Sequence, residues 1–485
     1  MSAFTSGKAR LPLPPFEPHS LAALQQRFGA HYRWQVLLTV MIGSMASIMA
    51  STIVNVAVPD MSQVFTLGQE RAQWLSAGFM AAMTLSMLTT PWLLARYGYR
   101  RTYSGAVLLL MTGGIAGGLS GWFELVLAMR VTEGLAAGVL QPIPAIIILR
   151  AFEPSEQGRA MGIFGFGVVL APALGPSVGG LLVEWFGWRS IFFVVVPFSV
   201  TALALARRYL PVTGPGGVAA DRHGARLDLR GLALITASVL CILNGLVSLH
   251  TDSRGVALAL LAAGVVALVL FVTHQRSAAQ PLVRLELFGH RAFAMGGTVA
   301  FIYGMALFGS TYLVPVFMQI ALQLPPSQAG AVLLPAGLVL AVTIPLAGRL
   351  ADRMSVSRLV TGGLVLLAAS FVLMLLVGPG TALWVLAAYA IVGRIGLGFV
   401  LPSLNLGAMR GLPDDLISHG SSGINFLRQL GGAMGVSLAG IVLEWRLQVH
   451  PADPLHAFHE TFALLGLITA CAVFAAWHMR PAAAA

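Results

Sequence analysis

The chain has 485 residues, of which 57% are hydrophobic and only 10% charged, with a mean hydropathy of +0.83. These values exclude an ordinary soluble domain and indicate an integral membrane protein. The formal net charge of +11 would suit a nucleic-acid binder, but in a membrane protein a basic excess more commonly marks the cytoplasmic loops; Cys241 and Cys471, both in apolar stretches, exclude a disulfide framework and a cysteine metal site.

Polar or mildly amphipathic residues occupy 1–33, so no cleavable signal peptide is expected and the apolar run from Trp34 reads as a retained anchor. Within that segment HSLAALQQRFGAHYRW (19–34) reads either as a short interfacial helix, with Leu21, Leu24 and Phe28 on one face, or as a solvated tail. Crossing a ~30 Å hydrocarbon core takes about 20 helical residues. Runs of that kind recur near 35–58, 74–95, 102–120, 122–149, 159–183, 190–208, 229–249, 255–274, 292–319, 327–347, 358–378, 382–407, 420–445 and 461–479, fourteen in all. An even number places both termini on one side. With the N-terminus inside, only Arg71, Arg189, Arg254 and Arg446 fall in external loops, and Arg130, Arg394 and Arg428 fall within spans. The remaining Lys and Arg are cytoplasmic, as the positive-inside rule requires. The basic excess is therefore topological, and nucleic acid is excluded as a partner.

The loops divide the chain. PVTGPGGVAADRHGARLDLR (211–230) is rich in Gly, Pro and Arg and reads as a cytoplasmic linker after six spans. Two spans then precede QPLVRLELFGHRAF (280–293), and six follow it. The expected organisation is a cytoplasmic segment 1–33, a six-helix bundle 34–210, a linker 211–228, two additional helices 229–275, a second six-helix bundle 276–480 and a tail 481–485. A weak internal repeat supports this division: PWLLARYGYRR (91–101) and GRLADRMSVSR (348–358) each follow the second span of a bundle, placing Arg96 opposite Arg353 and Arg101 opposite Arg358. GVLQP (138–142) and GFVLP (398–402) likewise occupy the fourth spans. Repeated halves with a site between them are the usual transporter plan.

Two stretches within the spans carry chemistry. LAMRVTEGLAAG (127–138) holds Arg130 and Glu133 one helical turn apart in an apolar run. At about 1.5 Å per residue from Trp122, they lie at depths of ~12 and ~17 Å. A charged side chain at a bilayer centre costs roughly 2.5–3.5 kcal/mol on insertion scales, so such residues face a cavity or a partner. In GVVLAPALGPSVGG (167–180), Gly167, Ala171, Gly175 and Gly179 form a small-residue stripe for close helix approach, and Pro172 and Pro176 each remove a backbone donor and bend the span.

GPSVGG in the fifth span resembles the antiporter signature of the major facilitator superfamily. RYGYRR resembles its cytoplasmic gating motif, and the Arg130 segment its fourth-span motif. TIVNVAVP (52–59), WRSIFFVVVP (188–197), PLVRLELF (281–288), SQAGAVLLP (327–335) and INFLRQLGGAMG (424–435) are together similar to the fourteen-span drug:proton antiporter family. The resemblance extends over nearly all the spans. It implies an all-α integral membrane protein with the major facilitator fold, two six-helix bundles plus two additional transmembrane helices. It assigns Gly167, Ala171, Pro172, Gly175, Pro176, Gly179 and Gly180 to the antiporter motif, and Arg96, Gly98, Arg100, Arg101, Gly348, Asp352 and Arg353 to a cytoplasmic gate.

The departures are informative. The family's first span has an acidic residue where Ala50 stands, two positions before Thr52, and its gating motif has Gly and Asp where Pro91 and Ala95 stand; Gly348, Asp352 and Arg353 keep that pattern in the second half. Three residues after Arg130 the family has Gln, and this chain has Glu133. One carboxylate is lost as another is gained. Glu133 and Arg130 are accordingly assigned to proton coupling: burial and a neighbouring guanidinium act on a carboxyl in opposite directions, and motion shifts their balance. The competing reading is a permanently ionised structural pair.

Thr52, Asn55, Trp74, Phe79, Gln141, Tyr303, Tyr312, Gln319, Arg394, Asn405, Asn425, Arg428 and Gln429 are candidate substrate-lining groups, each with the alternative of filling a core or bonding a neighbouring backbone. Ser421, Asn425 and Gln429 share a face of the thirteenth span. His450, His456, His459, Asp453 and Glu460 in HPADPLHAFHE (450–460) read as a solvated loop rather than a metal site. No GxxxxGK[ST] signature is present, so nucleotide hydrolysis is unsupported. The expectation is a multi-pass protein of the bacterial inner membrane with both termini cytoplasmic, exporting amphiphilic organic compounds or drugs in exchange for protons. It is not an enzyme, and no cofactor or metal is expected. Its partners are amphiphilic small molecules, protons and the lipid bilayer, with a periplasmic adaptor as a further candidate. The alternatives are a dedicated exporter of one endogenous metabolite, siderophore or lipid, and a non-transporting sensor or scaffold.

Overall fold

In hydrocarbon every backbone N–H and C=O must be satisfied within the chain, which makes long helices the natural state of these apolar runs. The computed structural model describes residues 21–67, 69–214, 226–249, 254–451 and 453–479, and every regular element among them is helical. In chain order these are α1 (Leu21–Phe28), α2 (Tyr32–Val64), α3 (Gln69–Ser86), α4 (Thr90–Leu119), α5 (Phe123–Leu140), α6 (Ile143–Ala151), α7 (Gln157–Phe186), α8 (Ser190–Phe193) and α9 (Val195–Tyr209). There follow α10 (Leu229–Ser248), α11 (Arg254–Ser277), α12 (Arg291–Ile320), α13 (Pro326–Ala351), α14 (Val356–Met374), α15 (Leu383–Met409), α16 (Ile417–Val449) and α17 (Pro454–Trp477). The first twenty residues, most of the 211–228 linker and the 481–485 tail lie outside the described residues, as do the side chains of Pro172 and Pro176.

Twelve of the described helical stretches are long and apolar enough to cross a membrane. The count differs from fourteen at two places. The expected spans 74–95 and 102–120 run together as Arg71–Leu119, 49 residues, interrupted at Gly98 (φ 75°, ψ 174°). That conformation favours glycine, and a Cβ there would collide with the Val212 carbonyl. The expected span 159–183 falls in the 30-residue helix Gln157–Phe186, of which only the stretch Gln157–Ala171 qualifies, as a shorter apolar helix.

Helices α2–α9 pack among themselves, as do α12–α17, and the α10–α11 hairpin lies beside both groups through α3 and α16. Gly245 abuts Leu261 and Gly264 abuts Ile242, which lets the hairpin's two helices approach closely. Segment 19–34 is helical over Leu21–Phe28 and packed rather than free: Leu24 is buried, and the Phe28 ring lies 6.1 Å from Tyr32 and 5.2 Å from Tyr209. The 450–460 segment is largely helical, because Asp453 caps α17 by accepting from the His456 N–H at 3.2 Å.

Candidate functional site

α5 carries Arg130 and Glu133 on one face, and the ion pair closes at 2.6 Å with both side chains at most 2% exposed. Arg130 donates from Nη1 to the Ala50 carbonyl of α2 (3.0 Å) and from Nε to the Leu75 carbonyl of α3 (3.3 Å). Its guanidinium stacks over Phe79, 4.3 Å from the ring centroid, and its Nη2 is buried without a partner. Glu133 fits because α4 presents Gly113 and Gly114: a Cβ on Gly113 would meet the Glu133 side chain at 2.9 Å. Ala50, where the resembled family has an acid, is thus a direct neighbour of the same guanidinium. Glu133 supplies the counter-charge from α5 instead.

Hydrogen bonds between the two halves gather at one end of the molecule. Asp352, just beyond α13, accepts from the backbone N–H groups of Gly158 (2.6 Å) and Arg159 (2.8 Å) in the first turn of α7, where a helix presents unsatisfied donors and partial positive charge. Burial pushes the Asp352 carboxyl above the usual carboxylate range, against the downward pull of those two donors. Arg150 donates to the Asp414 carbonyl, and Ser421 Oγ to the Pro142 carbonyl at 2.9 Å. Gly158, Gly162 and Gly165 of α7 face Ile344, Pro345 and Gly348 of α13, whereas farther along α7 Gly167 faces Met41, Gly175 faces Thr52 and Gly179 faces Ile53, all on α2. Leu334, Leu338, Val342 and Leu346 form an exposed stripe along α13. The hydrogen bonds between the halves thus lie at this one end among the described residues.

The residues that the family resemblance assigns to a gate differ in their attachments between the two halves. Gly348 and Asp352 bridge to α7. Around Gly98, Tyr99 N–H and Arg100 N–H donate to the carbonyls of Thr213 (3.1 Å) and Pro211 (3.0 Å), and Arg100 Nε donates to Leu210 (2.8 Å), so this segment is tied to the chain after α9. Arg96 stacks on Trp92 and Tyr97, while Arg101 and Arg353 are exposed. Ala95 lines a cavity of about 460 Å³ shared with Asp228, Arg284 and His419. In the antiporter motif Ala171 is fully buried and Gly180 faces open space.

The candidate lining groups divide by exposure. Asn55, Trp74, Tyr312 and Gln319 are exposed, and Thr52, Gln141, Arg394, Asn405 and Arg428 partly so; Phe79, Tyr303, Asn425 and Gln429 are buried. Asn55 accepts from Ser76 at 2.7 Å. Thr52, Gln319, Asn405 and Asn425 bond carbonyls of their own helices. Tyr303 donates to Leu397 at 3.3 Å, and Arg428 to Asn425 at 2.9 Å. Near α17, His450, His456 and Glu460 lie within 4.8 Å of one another, but Arg446 holds both carboxylate oxygens of Glu460.

Two structural features were missed from the sequence. The GxxxG spacing of Gly158 and Gly162 was available to find the inter-half contact. Asp228 had no such signal. It caps α10 through the Gly231 N–H (2.8 Å), accepts from Gln275 (2.7 Å) and bonds His274 (2.8 Å). Gln275 in turn accepts from the Val283 N–H at 3.0 Å, so one carboxylate joins the linker, the hairpin and the start of the second half. Burial raises the Asp228 carboxyl, but these hydrogen bonds outweigh it and hold it below the ordinary value.

A family model described as Major Facilitator Superfamily matches residues 40–436. The "Multidrug resistance protein B homolog" of Mycobacterium tuberculosis (strain ATCC 25618 / H37Rv) is 30% identical over 431 residues, covering 85% of this chain and 77% of its own length. The "Tetracenomycin C resistance and export protein" of Streptomyces glaucescens is 28% identical over 425 residues, covering 85% and 76%. Among solved structures, the proton:xylose symporter XylE aligns with a TM-score of 0.66 over 92% of this chain and 95% of its own, at 12% identity, a likeness of fold alone.

Proposed function

This chain belongs to the Major Facilitator Superfamily, and from that premise we propose that it exports amphiphilic organic compounds or drugs across a bacterial inner membrane in exchange for protons. Membership makes it a multi-pass transporter of small molecules and not an enzyme. Relatives named for drug resistance and export support the substrate class and the direction.

We propose fourteen spans. The 49-residue stretch Arg71–Leu119 is more than twice the length of about 20 residues that one crossing needs, and it breaks at Gly98. Gln157–Phe186, at 30 residues, is long enough for another. The end where the halves meet holds Arg33, Arg96, Arg100, Arg150 and Arg159 in its contacts, and the positive-inside rule makes that end cytoplasmic. Both termini then lie inside.

The observation that carries the proton assignment is the Arg130–Glu133 pair, enclosed in the first half at 2.6 Å. An intramembrane ion pair is a functional-site hypothesis by default. As the halves rock, lengthening that distance or admitting water changes whether Glu133 keeps its proton. Substrate leaves as the proton enters. In vesicles with an imposed pH gradient, Glu133→Gln is expected to abolish gradient-driven efflux while inserting normally; flux per inserted molecule equal to wild type would reduce the pair to a structural lock. The relative named for a single compound favours a second reading, a dedicated exporter, which predicts efflux of one compound class rather than of several unrelated dyes.

A further inference from the structure

The second half holds two cations in its interior and no acid to match them. Arg394 on α15 makes no hydrogen bond or ion pair among the described residues, and its surroundings are hydroxyls and apolar side chains: it lines a small cavity with Ser310, Ser370, Tyr389 and Leu397. Arg428 on α16 spends one donor on Asn425 (2.9 Å), and its Nε is buried without a partner. Tyr303 of α12 links their surroundings: its hydroxyl donates to the Leu397 carbonyl, three residues after Arg394, at 3.3 Å, and the neighbouring Gly304 abuts the backbone of Arg428. At about 1.5 Å per residue, Tyr303 stands ~18 Å into α12, Arg394 ~16 Å into α15 and Arg428 ~16 Å into α16, so all three converge at mid-depth.

Carboxylates are absent from α12, α13, α14 and α15. On α16 the acid is Glu444, about 24 Å along the helix from Arg428, and Glu460 of α17 is held by Arg446. In the first half, Arg130 and Glu133 neutralise each other's charge. A guanidinium cannot shed its charge in a protein, and charges in a low-dielectric interior require a partner. Ser421, Asn425 and Arg428 follow one another at i, i+4 and i+7; Ser421 reaches the first half at Pro142, and at Arg428 the helix lies against Gly304 of α12. Arg394 and Arg428 are both partly exposed, as groups open to a ligand must be.

We propose that Arg394 and Arg428, on the two helices that pack beside Tyr303, form the binding site for an acidic group, so that the preferred substrates are amphiphilic anions bearing a carboxylate, sulfonate or phosphate. The inference rests on the export reading, and it narrows that reading to a charge class. A guanidinium offers paired donors that match the two oxygens of a carboxylate, while the apolar helix faces around it accept the rest of the amphiphile.

The test compares an anionic probe, 11-(dansylamino)undecanoic acid, with its neutral methyl ester, binding to the full chain in nanodiscs at neutral pH with empty nanodiscs as blank for each probe's partition into lipid. The acid is expected to bind at least tenfold more tightly than the ester. Arg394→Gln and Arg428→Gln are each expected to lose at least tenfold for the acid and nothing for the ester, and Arg428→Lys to keep part of the preference. Equal affinity of wild type for acid and ester overturns the proposal, as does an unaltered preference in the double Gln variant. Should the Gln variants fail to fold, seen as loss of ester binding too, the wild-type ratio decides alone. Flux separates the two readings: preference for the acid without gradient-driven movement of either probe sinks export and keeps the anion site. Gradient-driven efflux of ethidium without preference for the acid does the reverse.

Discussion

Asp352, the residue after α13 in the second half, accepts a 2.6 Å hydrogen bond from the backbone N–H of Gly158 in the first half. With the Arg159 N–H on its other oxygen, it is the side chain that joins α13 to α7 where the halves meet. Hydrogen bonds to a charged group contribute roughly 1.5–3 kcal/mol each, and 1.4 kcal/mol is about a tenfold change in an equilibrium. Asp352→Ala removes both acceptors and Asp352→Asn one. A reporter cysteine at Ile344, which is 1% exposed, introduced after replacing Cys241 and Cys471, is expected to be alkylated about tenfold faster in the Ala variant and to an intermediate degree in the Asn variant. Unchanged rates would remove Asp352 from the gate.

Gly348 tests the same contact by shape rather than charge. A Cβ there would meet Gly162 Cα at 2.6 Å and Gly162 N at 2.8 Å. These are backbone atoms that cannot swing aside, so Gly348→Ala must separate the helices. Overpacking of this kind costs typically about 1–3 kcal/mol. The Ile344 reporter should again react faster, and Gly348→Val should exceed Gly348→Ala. Gly362→Ala, where a Cβ meets nothing within 4 Å, should leave the rate alone.

Ala50 and Glu133 approach one guanidinium from two helices. Removing one partner of a buried pair costs about 3–5 kcal/mol, so Glu133→Gln is expected to lower the thermal midpoint in detergent by several degrees. Adding Ala50→Asp on that background returns a carboxylate to the neighbourhood of Arg130. The double variant is expected to recover at least half of the lost midpoint and a measurable part of the gradient-driven flux. A further fall in the midpoint would mean that α2 has no room for the acid.

The Asp228 clamp responds to acid. Its carboxyl is held below the ordinary value in the folded protein, since the hydrogen bonds outweigh burial. A depressed folded pKa contributes stability that is fully present above the unfolded value, about 3.9, and lost as pH falls through the folded one. The midpoint difference between wild type and Asp228→Asn is therefore expected to be constant above about pH 5 and to shrink toward pH 3. A difference that persists undiminished at the lowest pH would show that the carboxylate's charge does not contribute.

Some of the candidate site is legible in the chain itself. Arg130 and Glu133, three residues apart in a helix, must be neighbours, and Glu133 in an apolar run needed a partner. What Arg130 does with its other donors was not legible, since the Ala50 and Leu75 carbonyls belong to helices whose rotation no local pattern announces. The same holds for Gly158 against Gly348, for Asp228 at the hairpin, and for the packing of the Arg394 and Arg428 helices beside Tyr303. Asp453 was read as part of a solvated loop and instead caps α17, because capping depends on where the following helix begins.

By itself the sequence determined that the chain enters a membrane, that its apolar runs become helices, and that charges within them need company, because length, hydropathy and the cost of unpaired polar groups act locally. The tertiary structure alone decided which helix faces which, at which end the two halves are hydrogen-bonded, and which arginines lack a counter-charge. In lipid a helix is apolar on its packed and its exposed faces alike, so the periodic pattern that orients a helix in a water-soluble protein is nearly flat here. Orientation is left to small residues, hydrogen bonds and charge, and these act only once the helices have met.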